Sequence, residues 1–194
     1  AAQAGTRISD DRVQQAALEL WKVLFEQKHG FDEAIATAQD EEVFADFVRS
    51  RAVLELWKAL FEKGQGFEKA IVAAGERMKK STDFMAPLKL WKILAENDMG
   101  GDTVNLDIKN DGFKVSLEAA QKGVGSDAPW EREAALSLWG ALFAKGRGFE
   151  AARQVLEDPK LDLETKKSLS ELLNRYQSQQ AVQTPQTSTT SQSD

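Results

Sequence analysis

The sequence predicts an all-α fold: a short right-handed α-solenoid of about four αα-hairpin repeats, closed by a C-terminal capping helix. Three observations carry this expectation. First, a phrase recurs as Leu18-Glu19-Leu20-Trp21-Lys22, Leu54-Glu55-Leu56-Trp57-Lys58, Leu88-Lys89-Leu90-Trp91-Lys92 and Leu136-Ser137-Leu138-Trp139-Gly140. Second, a Gly-Phe pair follows each phrase, at Gly30-Phe31, Gly66-Phe67, Gly112-Phe113 and Gly148-Phe149. Third, apolar residues within each unit fall at three- and four-residue steps, the spacing of one helical face.

The Trp residues lie 36, 34 and 48 residues apart. The Phe comes 10 residues after the Trp in three units and 22 after in the third, so one insertion of 12 residues explains most of the irregularity. It lies within Glu96 to Asp111.

The segment before each Gly-Phe reads as a helix. Ala17, Leu18, Leu20, Trp21, Leu24 and Phe25 form its apolar stripe, and Val53, Leu54, Leu56, Trp57, Leu60 and Phe61 repeat it. Ser9-Asp10-Asp11, Ser81-Thr82-Asp83 and Ser126-Asp127-Ala128-Pro129 offer caps for the first, third and fourth of these helices. The second is expected to begin near Asp40, where Asp40-Glu41-Glu42 suits the positive end of a helix dipole. Lys63-Gly64-Gln65-Gly66 and Lys145-Gly146-Arg147-Gly148 read as C-caps, because Gly accepts the left-handed conformation that ends a helix. A shorter helix follows each, with Phe31, Ala34, Ile35 and Ala38, or Phe67, Ala70, Ile71 and Ala74, on one side. The small residues Ala34, Ala38, Ala70, Ala73 and Ala74 permit a neighbouring helix to approach closely. The repeats span about 9–39, 40–80, 81–125 and 126–158. A cap at 159–176 follows from Leu161, Leu163, Leu169, Leu172, Leu173 and Tyr176. Residues 1–8 are expected to be disordered or processed, and the Gln/Ser/Thr-rich tail 177–194 disordered.

Composition narrows the chemistry. The 194 residues are 42% hydrophobic and 29% charged, with net charge −6, no Cys, one His (His29) and one Tyr (Tyr176). The balance is that of a soluble domain, and it argues against nucleic-acid binding, which needs concentrated positive charge. No run of about 18 apolar residues marks a membrane span. Cys nucleophiles, Cys-based zinc sites and disulfides are excluded, and a Ser-His-Asp triad has only His29, in a loop, to draw on. The compartment is not fixed. Zero Cys and the Met-free, small-residue start Ala1-Ala2-Gln3-Ala4-Gly5 lean toward an exported chain.

The pattern of two-helix units of about 36 residues, with a longer first helix and apolar matching faces, resembles the HEAT and armadillo class over roughly residues 9–176. Tetratricopeptide repeats are the next nearest, with their 34-residue period and Trp in the first helix. Their small residue four positions after the Trp is Phe25, Phe61 or Phe143 here, and their closing Pro is absent. Either resemblance implies a non-catalytic scaffold that binds a protein or peptide. A structural spacer of a larger secreted or effector protein is the alternative, as is a metal-dependent protein using the acidic insertion at 98–111.

The insertion is the first candidate site, because loops added at one turn of such an array shape a binding edge. Its Asp98, Asp102, Asn105, Asp107, Asn110 and Asp111, with Trp130 outside the repeat phase, are the candidate partner contacts. Asp107, Asp111, Gly112 and Glu118 also match positions one, five, six and twelve of a calcium-binding EF-hand loop, although Lys109 stands where an oxygen ligand belongs. An acidic surface loop, or a small hairpin over the alternating Thr103 to Ile108, reads the same residues without a ligand. No other cofactor is expected. The Trp series reads as layer packing rather than as ligand platforms. The Lys-Gly-x-Gly turns lack the strand and Gly-Lys-Ser/Thr of a phosphate loop.

Overall fold

The computed structural model describes residues 1–6, 10–40, 47–80 and 84–183. Every regular element among them is helical. They are α1 (Ala2–Thr6), α2 (Asp11–Glu26), α3 (Phe31–Gln39), α4 (Phe47–Glu62), α5 (Phe67–Lys80), α6 (Met85–Glu96), a 3-10 segment (Asp98–Thr103), α7 (Leu106–Val124), α8 (Pro129–Ala144), α9 (Phe149–Leu156) and α10 (Leu163–Gln183). No helix among them is long and apolar enough to cross a membrane.

Packing follows chain order. The Trp-bearing helices α2, α4, α6 and α8 each pack against the next, and α10 packs on α8. The helices that carry the Gly-Phe phenylalanines, α3, α5, α7 and α9, also pack in sequence, and each lies on the helix that follows it: α3 on α4, α5 on α6, α7 on α8 and α9 on α10. The two helices of one pair contact each other appreciably only where α6 meets α7, so most packing among the described residues runs from one pair to the next.

The helix ends explain the recurring Gly. In the turn after α2, His29 N–H donates to Leu24 C=O and Lys28 N–H to Phe25 C=O. Gln65 to Leu60 with Gly64 to Phe61, and Arg147 to Leu142 with Gly146 to Phe143, repeat this pair of bonds. This is the Schellman closure, and its geometry requires a left-handed residue. Gly64 and Gly146 supply it with φ of 70° each, whereas the first turn places Lys28 there at φ 59°.

At the start of α2, Asp10 Oδ1 accepts from Arg12 N–H and Val13 N–H, as expected. Pro129 begins α8, with Ala128 as the flanking residue and Ser126 Oγ accepting from Ala128 N–H. Buried Glu131 joins two helix starts, accepting from Phe84 N–H at 2.8 Å and from the Ser126 hydroxyl. Asp162 caps α10 through Thr165, whose hydroxyl and N–H hold its carboxylate below the usual range. The expected cap at 81–83 and the helix start at 41–42 lie outside the described residues.

All four repeated Trp rings are buried. Three stand in aromatic runs: Trp21-Phe25-Phe31, Trp57-Phe61-Phe67 and Trp139-Phe143-Phe149. Their indole N–H groups differ. Trp21 donates to Thr6 Oγ1 at 3.3 Å, while the N–H groups of Trp57, Trp91 and Trp139 are buried without a partner among the described residues. Thr6 precedes its Trp by the same 15 residues as Val124 precedes Trp139. The close approaches beside them match too. A Cβ on Gly5 would stand 2.7 Å from the Ala17 Cβ, and one on Gly123 2.6 Å from the Ala135 Cβ. The hydroxyl of Thr6 therefore stands where Val124 has a methyl.

The sequence-based expectations need several corrections. Residues 1–8 are expected to be disordered or processed; of these, Ala2–Thr6 is helical, with Ala2, Gly5 and Thr6 buried, and residues 7–8 lie outside the described residues. The terminal helix continues through residues 177–183, which composition places in the disordered tail. Gln and Ala propagate a helix readily, and α10 is already anchored by buried Leu169 and Leu173. The rest of that tail lies outside the described residues. Leu20, placed in the apolar stripe, is exposed. The hairpin over Thr103 to Ile108 does not form: α7 starts at Leu106, where Asn105 Oδ1 accepts from Asp107 N–H at 2.8 Å.

Two substitutions test these ends and layers. Thr6→Val leaves a fourth buried indole N–H unpaired and is expected to lower stability by about 1–3 kcal/mol, whereas Val124→Thr gives Trp139 an acceptor and should raise the denaturation midpoint. Lys28→Gly removes a left-handed non-Gly residue and should stabilise by about 1 kcal/mol, read from the midpoint of a urea titration.

Candidate functional site

The insertion turns out to be partly core. In the other three Trp helices a Phe follows the Trp by four residues, but after Trp91 that position is Ala95. The chain continues through Asp98, Met99 and Gly100, all at positive φ (51°, 50° and 95°). Met99 and Val104 are buried, and the 3-10 segment packs against α5, α6 and α7. A Cβ on Gly100 would collide with Val104 Cγ2 at 2.4 Å and Phe67 Cγ at 2.8 Å. The segment thus fills the layer that Ala95 leaves short of an aromatic ring, and an apolar Met accepts a strained φ to do so.

Its polar residues serve the same purpose. Lys109, from the first turn of α7, pairs with Asp98 at 2.7 Å and closes the turn. Asn105 caps α7, and Asp107 lies in its first turn, where negative charge suits the dipole. Asn110 and Asp111 are exposed along α7, and the Asp102 side chain lies outside the described residues. The calcium-loop reading of Asp107, Asp111 and Glu118 fails on backbone grounds. All three lie on one continuous helix, so at about 1.5 Å rise per residue Asp107 and Glu118 are separated by roughly 16 Å along the axis. No ion can be shared across that span. No group of three or more His, Cys, Asp or Glu side chains suited to a metal occurs among the described residues.

The larger feature is a groove across the Trp helices. Its volume is about 680 Å³, and it runs from Asp11 at the start of α2 over Arg51, Leu54, Glu55 and Lys58 of α4. It continues across Met85, Lys89, Lys92, Ile93 and Glu96 of α6 to Trp130, Glu133, Ala134 and Ser137 of α8. A second depression of about 400 Å³ shares Lys92, Glu96 and Ser137 and extends over Gly140, Ala141 and Ala144 to Tyr176 of α10. Trp130 is 59% exposed at the rim. Of the candidate partner contacts whose side chains are described, it alone faces this groove.

Four positions per helix build the groove wall, at six and two residues before the Trp and one and five after it. Steps of three and four put them on one face. They read Arg51, Glu55, Lys58 and Glu62 in α4, where the groove stops short of Glu62; Met85, Lys89, Lys92 and Glu96 in α6; and Glu133, Ser137, Gly140 and Ala144 in α8, the last two lining the second depression. The wall therefore passes from charged to small and uncharged. Lys58 pairs with Glu55 at 2.7 Å and Lys92 with Glu96 at 2.5 Å. In α2, Lys22 pairs with Glu19 at 2.9 Å, and that bond holds the Lys22 pKa above its usual value. In α8 no such pair forms on the wall, since Ser137, Gly140 and Ala144 cannot make one. Trp130 stands with Glu133 at the start of α8, and Gly140, Ala144 and Tyr176 line the adjoining depression towards its end. The variation at these four positions is the sequence signal that points to the groove, and attention to the apolar stripe hides it.

Together these features define an all-helical protein whose helices pack against one another in chain order, compatible with a helical repeat fold. Comparison of the chain with protein-family models, with curated proteins and with solved structures gives no match.

If Met99 replaces the missing aromatic of the third layer, Met99→Ala should lower stability by about 2–5 kcal/mol, the cost of a large core truncation. Chemical denaturation measures it. Asp107→Asn in the same assay should change little, with or without calcium.

Proposed function

We propose that this chain is a non-catalytic helical-repeat scaffold, a short α-solenoid of four αα-hairpins capped by α10, and that it binds a protein or peptide along its Trp-helix groove. The observation that carries the reading is the groove itself. Consecutive Trp helices contribute equivalent wall positions, and an exposed Trp stands at the α8 rim of the groove. Exposed Trp beside apolar surface is a typical energetic centre of protein recognition. The order of contacts supports the repeat reading, because each helix packs on its counterpart in the next unit. Resemblance to HEAT and armadillo arrays supports it at the level of pattern only.

The groove mixes signs along its length: Arg51, Lys58, Lys89 and Lys92 alternate with Glu55, Glu96 and Glu133. A bound segment would place an apolar anchor against Trp130 and Ala134 and run its polar residues toward α4. Ion pairs at the rim would set orientation more than affinity.

Selection of a displayed random peptide library on the chain, followed by affinity measurement, tests this reading. Enriched peptides should lose at least tenfold in affinity on Trp130→Ala and on Ser137→Arg, while deletion of residues 101–104 acts only through stability. Enrichment that is indifferent to both substitutions, or no enrichment at all, contradicts it.

A further inference from the structure

Trp130 is not the only unusual group at the α8 end of the groove. Glu133 follows it by three residues on the same helix, so the two side chains share a face, about 5–6 Å apart at their Cβ atoms. Both line the groove, with Ala134 beside them, and both are exposed. The other charged groups at this helix start serve the fold. Glu131 is buried and accepts from Phe84 N–H and the Ser126 hydroxyl. Arg132 donates to Ser126 C=O and Asp127 C=O and faces Asp162 at 3.7 Å. Glu133 has no hydrogen bond or ion pair among the described residues. An open indole face with a carboxylate one turn along suits a cation: the ring quadrupole attracts it, and the carboxylate accepts its N–H donors.

The middle of the groove has the opposite sign. Across α4 and α6 it is lined by Arg51, Lys58, Lys89 and Lys92 against only Glu55 and Glu96, a positive excess in a chain of net charge −6. Lys58 and Lys92 hold Glu55 and Glu96 in exposed one-turn pairs, which contribute little and exchange partners easily. Arg51 has no such partner among the described residues. From α8 to α4 the groove thus presents a place for one cation and then, one and two helices further on, places for two anions.

Spacing sets the form of the occupant. Packed helices lie about 8–10 Å apart. An extended or polyproline-type segment advances about 9–10 Å in three residues. Every third side chain of such a segment therefore meets a new helix. The groove volume of about 680 Å³ is that of a small-ligand site. A helix about 10 Å across, crossing the same three helices, occupies roughly 1,500 Å³ and sits in it poorly.

We infer that the groove takes an extended segment of a partner protein with an arginine at one end and carboxylates three and six residues from it. The arginine stem is the apolar anchor over Trp130 and Ala134, and its planar guanidinium stacks on the indole and donates to Glu133. The first carboxylate meets Lys89 and Lys92, and the second meets Arg51 and Lys58. The inference rests on the groove reading above and adds the chemistry of the partner.

Fluorescence anisotropy of labelled synthetic peptides titrated into the full chain tests it. The probes are Arg-Ala-Ser-Glu-Ala-Ser-Glu and its reversed sequence. The controls are the same peptides with Leu for Arg, and a peptide of the same residues reordered so that the three charges are adjacent. The better of the two directions should bind saturably with one site, at least tenfold more tightly than the reordered peptide. It should exceed its Leu control about fivefold, as expected of a cation held by an exposed Trp and a carboxylate. Glu133→Gln should abolish that preference and leave the Leu control unchanged, while Trp130→Ala weakens both. Arg51→Gln should weaken the Arg peptide about threefold, the size of a rim ion pair. All three positions are exposed, so melting temperatures should not move, and the peptide comparisons on the unaltered chain need no variant. Equal affinity of the ordered and reordered peptides overturns the inference, as does a preference for Arg that survives Glu133→Gln. Library peptides that bind through Trp130 without this charge pattern overturn it and leave the groove reading intact. Failure of the designed peptides together with no enriched library peptide overturns both.

Discussion

The structure depends on bringing a Trp ring into the narrow space between one helix pair and the next. A Trp buries more apolar area than any other side chain available here, but only if the facing helix lets its backbone approach. The second helices meet this demand with small residues. Ala34, Ala38, Ala70, Ala74, Ala120 and Ala152 are all fully buried. Where the approach is tightest, even a methyl is too much, as at Gly123 beside Ala135. The Gly of three of the four Gly-Phe pairs answers the same constraint from the turn, while Gly112 lies within α7 against Ile71. Gly30, Gly66 and Gly148 each lie against the six-membered ring of their own Trp, in a backbone conformation that L side chains rarely adopt. Packing of this kind leaves little room for a polar partner, and three indole N–H groups go unmet as a result. Burial of the ring outweighs that penalty of about 1–3 kcal/mol per group.

The third unit shows how the constraint is met when one component changes. With Ala95 in place of Phe, the layer loses an aromatic ring. Met99 and Val104 restore apolar volume from the connecting segment, and the Asp98–Lys109 ion pair, the Asn105 cap and two positive-φ glycines bend the chain to deliver them. The acidic character that draws attention to this segment is therefore a property of its outer surface. Its inner surface is core.

Much of the fold is legible in the sequence because it is set locally. The Trp and Phe spacings fix where helices start and stop, Asp10 and Pro129 mark two helix starts, and Gly64 and Gly146 mark two ends. What is not legible depends on contacts between distant residues. The alternation over Thr103 to Ile108 imitates a strand, and only the pairing of Lys109 with Asp98 and the cap at Asn105 turn it into a helix start. Leu20 belongs to the apolar stripe by periodicity and is exposed because, among the described residues, no helix covers that side of α2. The candidate site is the least legible part. Trp130 stands out by its phase, but the groove is made of polar positions whose meaning depends on which helices lie side by side. The six acidic or amide residues of the insertion are conspicuous in the sequence and have little to do with it.

The four repeated Trp residues are interior to the packing between helices, while Trp130 faces solvent. Hydrogen exchange of the five indole N–H groups, resolved by nitrogen-edited NMR, measures this directly. Trp130 should exchange at close to the free rate, while Trp57, Trp91 and Trp139 should exchange only through opening of the fold, although their N–H groups have no partner among the described residues. Trp21, bonded to Thr6, should be protected as well. Exchange of Trp57, Trp91 or Trp139 as fast as that of Trp130 under native conditions would contradict this burial.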